Sequence, residues 1–408
     1  MKSRIRSGIK SGKFQVRSSA GKHLYIHVPF CDGKCAYCGF YSEVYAPAAA
    51  EAYLDGLTRE LDLRLAGAAK PRPATIYLGG GTPSILTPGQ LERLCRLLRD
   101  RVSTAGLKEW TIEANPGTLP VAKLDVLRAA GVNRVSLGAQ TLDDRVLTRL
   151  GRRHAAADVE RTVRLLRAAG FANVGLDLIA GLPGVAAAGW RATLRTVIAM
   201  APRHVSVYAL TVEKGTRLAR QVARHAVAVP TAKAQVAALA VADELLGTAG
   251  YGHYETSNFA LVGSACRHNL ACWRGEDYLG LGPAAAARAG RRRWTNRADL
   301  RAYVDALNHA RLPPRAEEKL TARRDVTERL IFGFRLREGV DLDAFCARWG
   351  EPAGKLRLFW EQTLTRLQQE GVVEQAGQRW RLTATGHYLA DYLAREMIPC
   401  ADPDQRAG

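Results

Sequence analysis

Short apolar runs alternate with longer amphipathic stretches through the first 250 or so residues of this 408-residue chain. Short runs between turn signals are typical of buried strands, and the longer periodic stretches predict helices. The predicted strands are Leu24–Val28, Thr75–Leu78, Trp110–Glu113, Asn133–Leu137, Val174–Ile179 and His204–Leu210. The predicted helices are 48–66, 87–102, 119–130, 156–169, 187–200 and 231–248. Alternating strands and helices form parallel βαβ units, so we expect an α/β fold, a partial TIM-like (β/α)6 barrel that does not close to eight.

Three cysteines follow the first predicted strand. Cys31, Cys35 and Cys38 have the spacing C-x3-C-x2-C, and no fourth cysteine follows closely. Three thiolates can bind three irons of a four-iron cluster and leave the fourth iron open to a small molecule. A zinc site would normally take four protein ligands, and the candidate for a fourth is His27, inside the predicted strand. The spacing therefore favours an iron–sulfur cluster over zinc.

Glycine and polar residues also stand where the other predicted strands end. The second strand runs into the segment Gly79–Pro83, and the third ends at Glu113. The fourth leads to Gln140, and the fifth contains Asp177. Because the carboxyl ends of parallel strands meet at one rim, we expect these residues to lie beside the cysteines and to form one site there.

The motifs that contain these residues closely resemble those of the radical S-adenosylmethionine (SAM) superfamily. Within it, the resemblance is to the oxygen-independent coproporphyrinogen III oxidase-like branch, and it extends from about residue 23 to residue 397. The matching motifs are Leu24–Phe40, Gly79–Ser84, Glu113–Pro116, Ser136–Gln140, Asp177–Pro183, Tyr208–Thr211, Tyr254–Phe259 and Arg267–Asn269. An ordered series of this length is highly specific.

This resemblance implies a [4Fe-4S] cluster on the three cysteines, with the amino and carboxylate groups of SAM on the open iron. An electron from a reducing donor would then cleave the sulfonium and release a 5′-deoxyadenosyl radical. We expect Glu113 to bind the SAM ammonium or a ribose hydroxyl, Asp177 and Gln140 to bind the ribose, and Arg152 to bind the carboxylate. The implied SAM-binding residues are Tyr25, Tyr37, Gly80, Gly81, Thr82, Glu113, Gln140, Arg152, Asp177 and Ala209.

One position beside the cluster motif separates two activities in this branch. The oxidases have a further cysteine two residues after the third ligand, where the HemW haem chaperones have phenylalanine. Here that residue is Phe40, although the preceding residue is Gly39 instead of the usual aspartate. The oxidases also have a longer segment before the cluster, whereas 30 residues precede Cys31 here. Both features favour the haem chaperones.

A second motif, the run 267–273, resembles the His-Asn-x-x-Tyr-Trp signature of haem binding in HemW proteins. Imidazole is a good axial ligand of haem iron, so we expect His268 to bind it. Trp273 would stack on the porphyrin, and Cys272, in the place of the tyrosine, offers a thiolate. A third motif departs from the family: Gly-Pro-Gly-Ala-His-Ser is replaced by Gly282–Ala287, which lacks the second glycine, the histidine and the serine.

The chain is predicted to have four parts: a disordered basic tail at 1–22, a radical SAM core at 23–255, a connecting segment at 256–296, loop-like over 256–292, that carries the His-Asn-x-x-Cys-Trp motif, and a C-terminal helical domain at 297–408. The last part combines helices with a small hairpin and is expected to be winged-helix-like. Its predicted helices are 297–310, 321–337, 341–349, 354–371 and 384–397, and its hairpin strands are Val372–Gln375 and Arg379–Leu382.

The formal net charge is +20, from 59 Lys and Arg against 39 Asp and Glu. We interpret the excess as a solvated basic surface; a nucleic-acid partner is not favoured because no strip of clustered basic and aromatic residues accompanies it. No apolar run is long enough to span a membrane, and the scattered cysteines argue against disulfides. We therefore expect a cytoplasmic protein, although the tail at 1–22 leaves organellar targeting open.

The sequence thus predicts a haem chaperone that binds haem, a [4Fe-4S] cluster and SAM, and delivers haem to acceptor haemoproteins, expected to be respiratory ones. Two enzymes remain as alternatives. One is an oxygen-independent coproporphyrinogen III oxidase, which converts two propionates to vinyl groups. The other is a radical SAM enzyme that modifies RNA, suggested by the net charge. A cluster-binding protein that does not cleave SAM is also left open.

Overall fold

The computed structural model describes residues 22–66 and 69–399, so the predicted tail lies, except for Lys22, outside the described residues. Six strands, β1 to β6, pair in sequence order, each parallel to the next. The prediction of a partial (β/α)6 barrel is therefore confirmed. These strands are His23–Val28, Thr75–Gly80, Glu109–Ala114, Arg134–Gln140, Asn173–Ala180 and His204–Ala209.

Three further strands extend the sheet at its two edges, which gives nine strands in an open order. Leu279–Leu281 runs parallel to β1 on one edge, and Asn258–Ala260 and Gly252–Glu255 continue antiparallel beyond β6 on the other. The prediction that residues 256–292 are loop-like is wrong, since this range contains short strands and the helix Arg267–Trp273. Its strands are very short and are held by pairing with distant residues, so no local pattern marks them.

Helices cover the barrel strands, and their apolar faces bury a core in which Leu24, Ile26 and Leu78 are fully inaccessible. Helix starts follow local signals: Pro88 stands at the first helical position after Thr87, whose hydroxyl accepts from a backbone N–H. The barrel helices are Pro47–Leu65, Pro88–Arg101, Val121–Ala130, Asp144–Leu150, Ala156–Ala168, Ala187–Ala199, Arg217–Ala223 and Ala232–Thr248. Of these, the two seven-residue helices were not predicted, because so few turns give no clear period.

The segment after the barrel adds a three-stranded antiparallel sheet of Ala286–Ala289, Arg292–Asn296 and Arg315–Lys319. Between its last two strands lies the helix Leu300–Asn308, predicted as part of the C-terminal domain. Its apolar residues, among them Tyr303, belong to the barrel core. A separate core begins at Val326.

This second core belongs to the predicted arrangement of helices with a small hairpin. The helices are Ala322–Gly333, Leu342–Trp349, Glu351–Gly354, Arg357–Gln369 and Ala390–Glu396, with a 3-10 turn at Gly386–Leu389. The strands are Val340–Asp341, Val373–Ala376 and Arg379–Leu382, which form one small sheet. None of the helices in the described part of the chain is long and apolar enough to cross a membrane.

Candidate functional site

The cysteine loop, residues 31–38, continues from β1 and is fastened at both ends. Cys31 pairs with Val44 in a two-residue parallel ladder. Further along, Ala36 N donates to Leu150 O at 2.8 Å, and Ala36 O accepts from Leu218 N at 2.8 Å. The three cysteines are partly exposed and form no disulfide. The backbone therefore presents three free thiols from one short loop.

A cavity of about 640 Å³ opens beside this loop, at the C-terminal ends of the barrel strands. Among the predicted cluster and SAM residues, Tyr25 is the one that does not line it. Its hydroxyl instead bonds His27 Nδ1 at 3.2 Å. The predicted residues on the cavity wall are Cys31, Cys35, Tyr37, Cys38, Gly80, Gly81, Thr82, Glu113, Gln140, Arg152, Asp177 and Ala209.

The glycines after β2 are needed where the cysteine loop packs. A Cβ on Gly81 would lie 2.6 Å from Phe30 O, and a Cβ on Gly80 would lie 2.6 Å from His27 Nδ1. Gly80 also has φ of 106°, in the left-handed region that favours glycine. These two glycines thus leave room for the backbone that leads from β1 into the cysteine loop. Their contact with SAM stays a prediction.

Glu113 projects from the end of β3 into the cavity wall. It accepts from Tyr77 Oη at 2.8 Å and from Gly80 N at 3.2 Å. Burial raises the pKa of Glu113 to about 7, although these two hydrogen bonds oppose the increase. A cation beside this buried carboxyl group would stabilise its ionised form.

Asp177 lies on β5 in a similar setting. It accepts from Ser206 Oγ at 2.6 Å and from Ser136 Oγ at 3.0 Å, and burial raises its pKa. Within the described residues, neither Asp177 nor Glu113 forms an ion pair. Two buried carboxyl groups with no basic partner at contact distance fit a cationic ligand, such as one that carries an ammonium and a sulfonium.

Arg152 brings the opposite charge to the cavity beside the cysteines. Its guanidinium donates to Asn115 Oδ1 at 2.8 Å and to Gly138 O at 2.5 Å, and it lies 3.7 Å from Cys35 Sγ. Its Nε has no hydrogen-bond partner, and Arg152 forms no ion pair with a described carboxylate. A largely buried cation with an unused donor fits thiolates and a ligand carboxylate.

Asn115 lines the cavity and belongs to the motif Glu113–Pro116, but the sequence did not predict it as a site residue. Its amide donates to Thr82 Oγ1 at 3.2 Å, and that hydroxyl lies 3.4 Å from Cys31 Sγ. Residues two apart in an extended strand lie on the same face. The position of Asn115 two residues after Glu113 is therefore the sequence signal that it faces the cavity as well.

The alternative of a zinc site with His27 as fourth ligand is not supported. Both ring nitrogens of His27 are engaged, Nδ1 with Tyr25 Oη and Nε2 with Tyr41 O at 3.0 Å. In the part of the chain that the structure describes, no three His, Cys, Asp or Glu side chains converge on one metal position. The three cysteines all line the cavity.

The predicted haem residues lie at the other end of the barrel, on the helix Arg267–Trp273, here called the motif helix. Its first two N–H groups, those of Arg267 and His268, donate to the Glu109 carboxylate at 2.9 and 3.0 Å. His268 Nδ1 bonds Thr75 Oγ1 at 2.8 Å. Glu109 and Thr75 begin β3 and β2, and the His268 ring lies 5.1 Å from the Tyr77 ring, whose hydroxyl bonds Glu113 in the cavity wall at 2.8 Å.

Within the motif helix, His268 and Ala271 are buried, whereas Cys272 and Trp273 are partly exposed. Burial lowers the pKa of His268 to about 3 and raises the pKa of the Cys272 thiol to about 12. The imidazole is therefore neutral, and the predicted thiolate at Cys272 is a protonated thiol here. Trp273 packs edge to face on Phe332 at 5.8 Å, with the Arg335 guanidinium 5.3 Å from its ring centre.

The divergent segment Gly282–Ala287 follows the strand beside β1. Gly282 N donates to the buried Glu60 carboxylate at 2.9 Å, and Gly282 O accepts from Asn296 Nδ2 at 2.8 Å. Ala284, in the place of the second glycine of the family motif that this segment resembles, has φ of 61°. The segment keeps a backbone conformation suited to glycine although the glycine is absent.

Comparisons with known proteins agree on one family. The model of the radical SAM superfamily matches residues 25–197, and that of the HemN C-terminal domain matches residues 320–389. The haem chaperone HemW of Bacillus subtilis is 31% identical over 371 residues, which cover 91% of this chain and 97% of the relative. HemW of Mycobacterium tuberculosis is 35% identical over 380 residues, with coverages of 92% and 94%.

Among solved structures, a radical SAM enzyme has a similar fold. Coproporphyrinogen III oxidase (HemN) from Escherichia coli superposes with a TM-score of 0.81, covering 93% of this chain and 91% of that one. The two sequences are 24% identical. The likeness therefore supports the barrel with its C-terminal region and carries no argument on activity.

Proposed function

Because the chain belongs to the HemW haem chaperone family of the radical SAM superfamily, we propose that it binds haem and delivers it to acceptor haemoproteins. What supports this most is similarity to HemW proteins over nearly the full length of both chains. Phe40, 72% exposed at the cavity mouth, stands where an oxidase would have a cysteine. The acceptors, a cytoplasmic location and a respiratory role stay predictions.

Membership of the superfamily implies a [4Fe-4S] cluster and SAM, and we propose that the cavity binds both. Cys31, Cys35 and Cys38 would hold the cluster, whose reduced form supplies the electron for sulfonium cleavage in this superfamily. Arg152 would bind the carboxylate of SAM beside Cys35. Glu113 and Asp177 would face the ammonium and the sulfonium of SAM. Positive charges of this kind lower the pKa of a nearby carboxyl group.

For haem we propose His268 as the iron ligand, on the condition that the motif helix first moves away from the barrel. The imidazole is enclosed against Thr75, and the motif helix is held by Glu109. Because His268 is only 6% exposed, we infer that iron binds this ring after the motif helix leaves its position at the base of the barrel. Haem binding would then be coupled to undocking of that helix, with Trp273 released from the C-terminal domain.

The test is a haem titration followed by absorbance. His268→Ala should weaken haem binding or change the spectrum, whereas His309→Ala, at a side chain 62% exposed, is the matched control and should change neither. An unchanged affinity and spectrum in His268→Ala would remove this residue from the site. Protoporphyrinogen formation from coproporphyrinogen III in an anaerobic, reduced assay would instead favour the oxidase.

The alternative of RNA modification rests on net charge alone. No match described above concerns RNA, and the relatives with near-complete coverage are haem chaperones. Tight, salt-sensitive binding of tRNA by the purified protein would be needed to revive it.

A further inference from the structure

Tyr77 lies on β2, between the cavity wall and the motif helix. Its hydroxyl donates to Glu113 Oε1 at 2.8 Å. Its ring centre lies 5.1 Å from that of His268, with the two ring planes tilted by 35°. One side chain therefore connects a residue proposed to bind SAM with the residue proposed to bind haem iron.

The neighbours of Tyr77 along β2 extend this connection in both directions. Side chains alternate between the two faces of a strand, so Thr75, Tyr77 and Gly79 share one face. Thr75 Oγ1 bonds His268 Nδ1 at 2.8 Å. At the other end, a Cβ on Gly79 would lie 2.9 Å from Tyr77 Cε1 and 3.0 Å from Glu113 Cδ. This face of β2 therefore packs on the motif helix at its start and leaves room at its end for the Tyr77–Glu113 pair.

A positive ligand beside Glu113 would strengthen the hydrogen bond that Tyr77 donates. Burial raises the pKa of Glu113 to about 7, so part of this carboxyl group is protonated near neutral pH when no cation is bound. An ammonium or sulfonium beside it favours the carboxylate. A hydrogen bond to a carboxylate is roughly twice as strong as one between neutral groups. The Tyr77 ring would then be held more firmly in the position in which it packs on His268.

We propose that Tyr77 couples the two sites, so that the motif helix is held more firmly on the barrel when SAM is bound and the affinity for haem falls. Haem binds after this helix leaves, so any contact that stabilises the docked helix lowers the apparent affinity for haem. The coupling is reciprocal: bound haem lowers the affinity for SAM by the same factor. The inference rests on the proposed function, in which SAM occupies the cavity and haem iron binds His268.

The test is a haem titration by absorbance on the cluster-loaded, unreduced protein, with and without saturating SAM. In the wild type, SAM should raise the haem dissociation constant at least about fivefold, the lower end of typical coupling between two sites. Tyr77→Phe keeps the ring and removes the hydroxyl, so SAM should change its haem dissociation constant by less than about twofold. Equilibrium dialysis of SAM should show the reciprocal loss of SAM affinity in the haem-loaded wild type.

The matched control is Tyr251→Phe. It removes a buried hydroxyl that donates to Pro202 O at 2.6 Å, away from the cavity and the motif helix. This variant should keep the response of the wild type to SAM.

A wild-type haem affinity that SAM leaves unchanged or increases would overturn the proposal. So would a loss of haem affinity that persists in Tyr77→Phe, because SAM and haem would then compete directly for the cavity. Loss of SAM binding in Tyr77→Phe would also overturn it, since Tyr77 would then only hold Glu113 for SAM. Normal haem binding without any effect of SAM refutes the coupling alone, whereas absence of haem binding in the wild type refutes the proposed function.

Discussion

Replacing Glu109 by glutamine should strengthen haem binding, because it loosens the motif helix. The Glu109 carboxylate is 4% exposed and accepts the N–H groups of Arg267 and His268 at 2.9 and 3.0 Å. Glutamine keeps one accepting oxygen and loses the charge at the positive end of the helix. A hydrogen bond to a charged group contributes about 1.5–3 kcal/mol, so we expect a loss of about 2 kcal/mol from the docked state.

That loss raises the ratio of undocked to docked helix about 30-fold, since about 1.4 kcal/mol changes an equilibrium tenfold. If haem binds only the undocked form, its apparent dissociation constant falls by up to the same factor. The assay is a haem titration by absorbance on the wild type, Glu109→Gln and Glu109→Gln/His268→Ala. Glu92→Gln, at a side chain 63% exposed, is the control. Equal or weaker haem binding by folded Glu109→Gln would refute the coupling, as would a gain that persists without His268.

Three further results are expected. Gly81→Ala should lose most of its reconstituted cluster absorbance, because its Cβ would lie 2.6 Å from Phe30 O, whereas Gly89→Ala, where a Cβ meets open space, should keep it. Ala284→Gly should stabilise the protein by about 0.5–1 kcal/mol in urea unfolding, since it relieves a φ of 61°; a loss of stability would contradict this. Because the pKa of Glu113 is raised by burial from 4.5 to about 7, the native state holds a proton that the unfolded chain releases, and stability without SAM should fall as pH rises through this window. Glu113→Gln should flatten that fall in thermal unfolding, and an equal slope would count against the shifted pKa.

The barrel and the cavity wall could be predicted because their signals are local. Each strand of the barrel carries its own apolar run, and the carboxyl ends of parallel strands meet whatever their distance in sequence. Cys31, Glu113 and Asp177 therefore come together as expected. Tyr77 and Ser206, whose hydroxyls donate to Glu113 and Asp177, could not be predicted as site residues. Each hydroxyl bonds a carboxylate on a neighbouring strand, and the local sequence does not show that pairing.

The surroundings of the motif helix could not be predicted for the same physical reason. His268 is bonded to Thr75, 193 residues earlier, and to Glu109, 159 residues earlier. A sequence motif identifies an imidazole but not the polar groups that enclose it. The small sheet after the barrel also could not be predicted. Arg292 and Glu317 form an ion pair across neighbouring strands, and neither strand has the apolar alternation that would identify it in the sequence.

The most direct test of the account is transfer of haem from the haem-loaded protein to the apo form of a respiratory haemoprotein, followed by absorbance under anaerobic conditions. If the chain delivers haem, transfer should saturate with acceptor concentration, exceed the rate of spontaneous haem release and be lost in His268→Ala. Transfer at the rate of spontaneous release, independent of the acceptor and unchanged in His268→Ala, would contradict it.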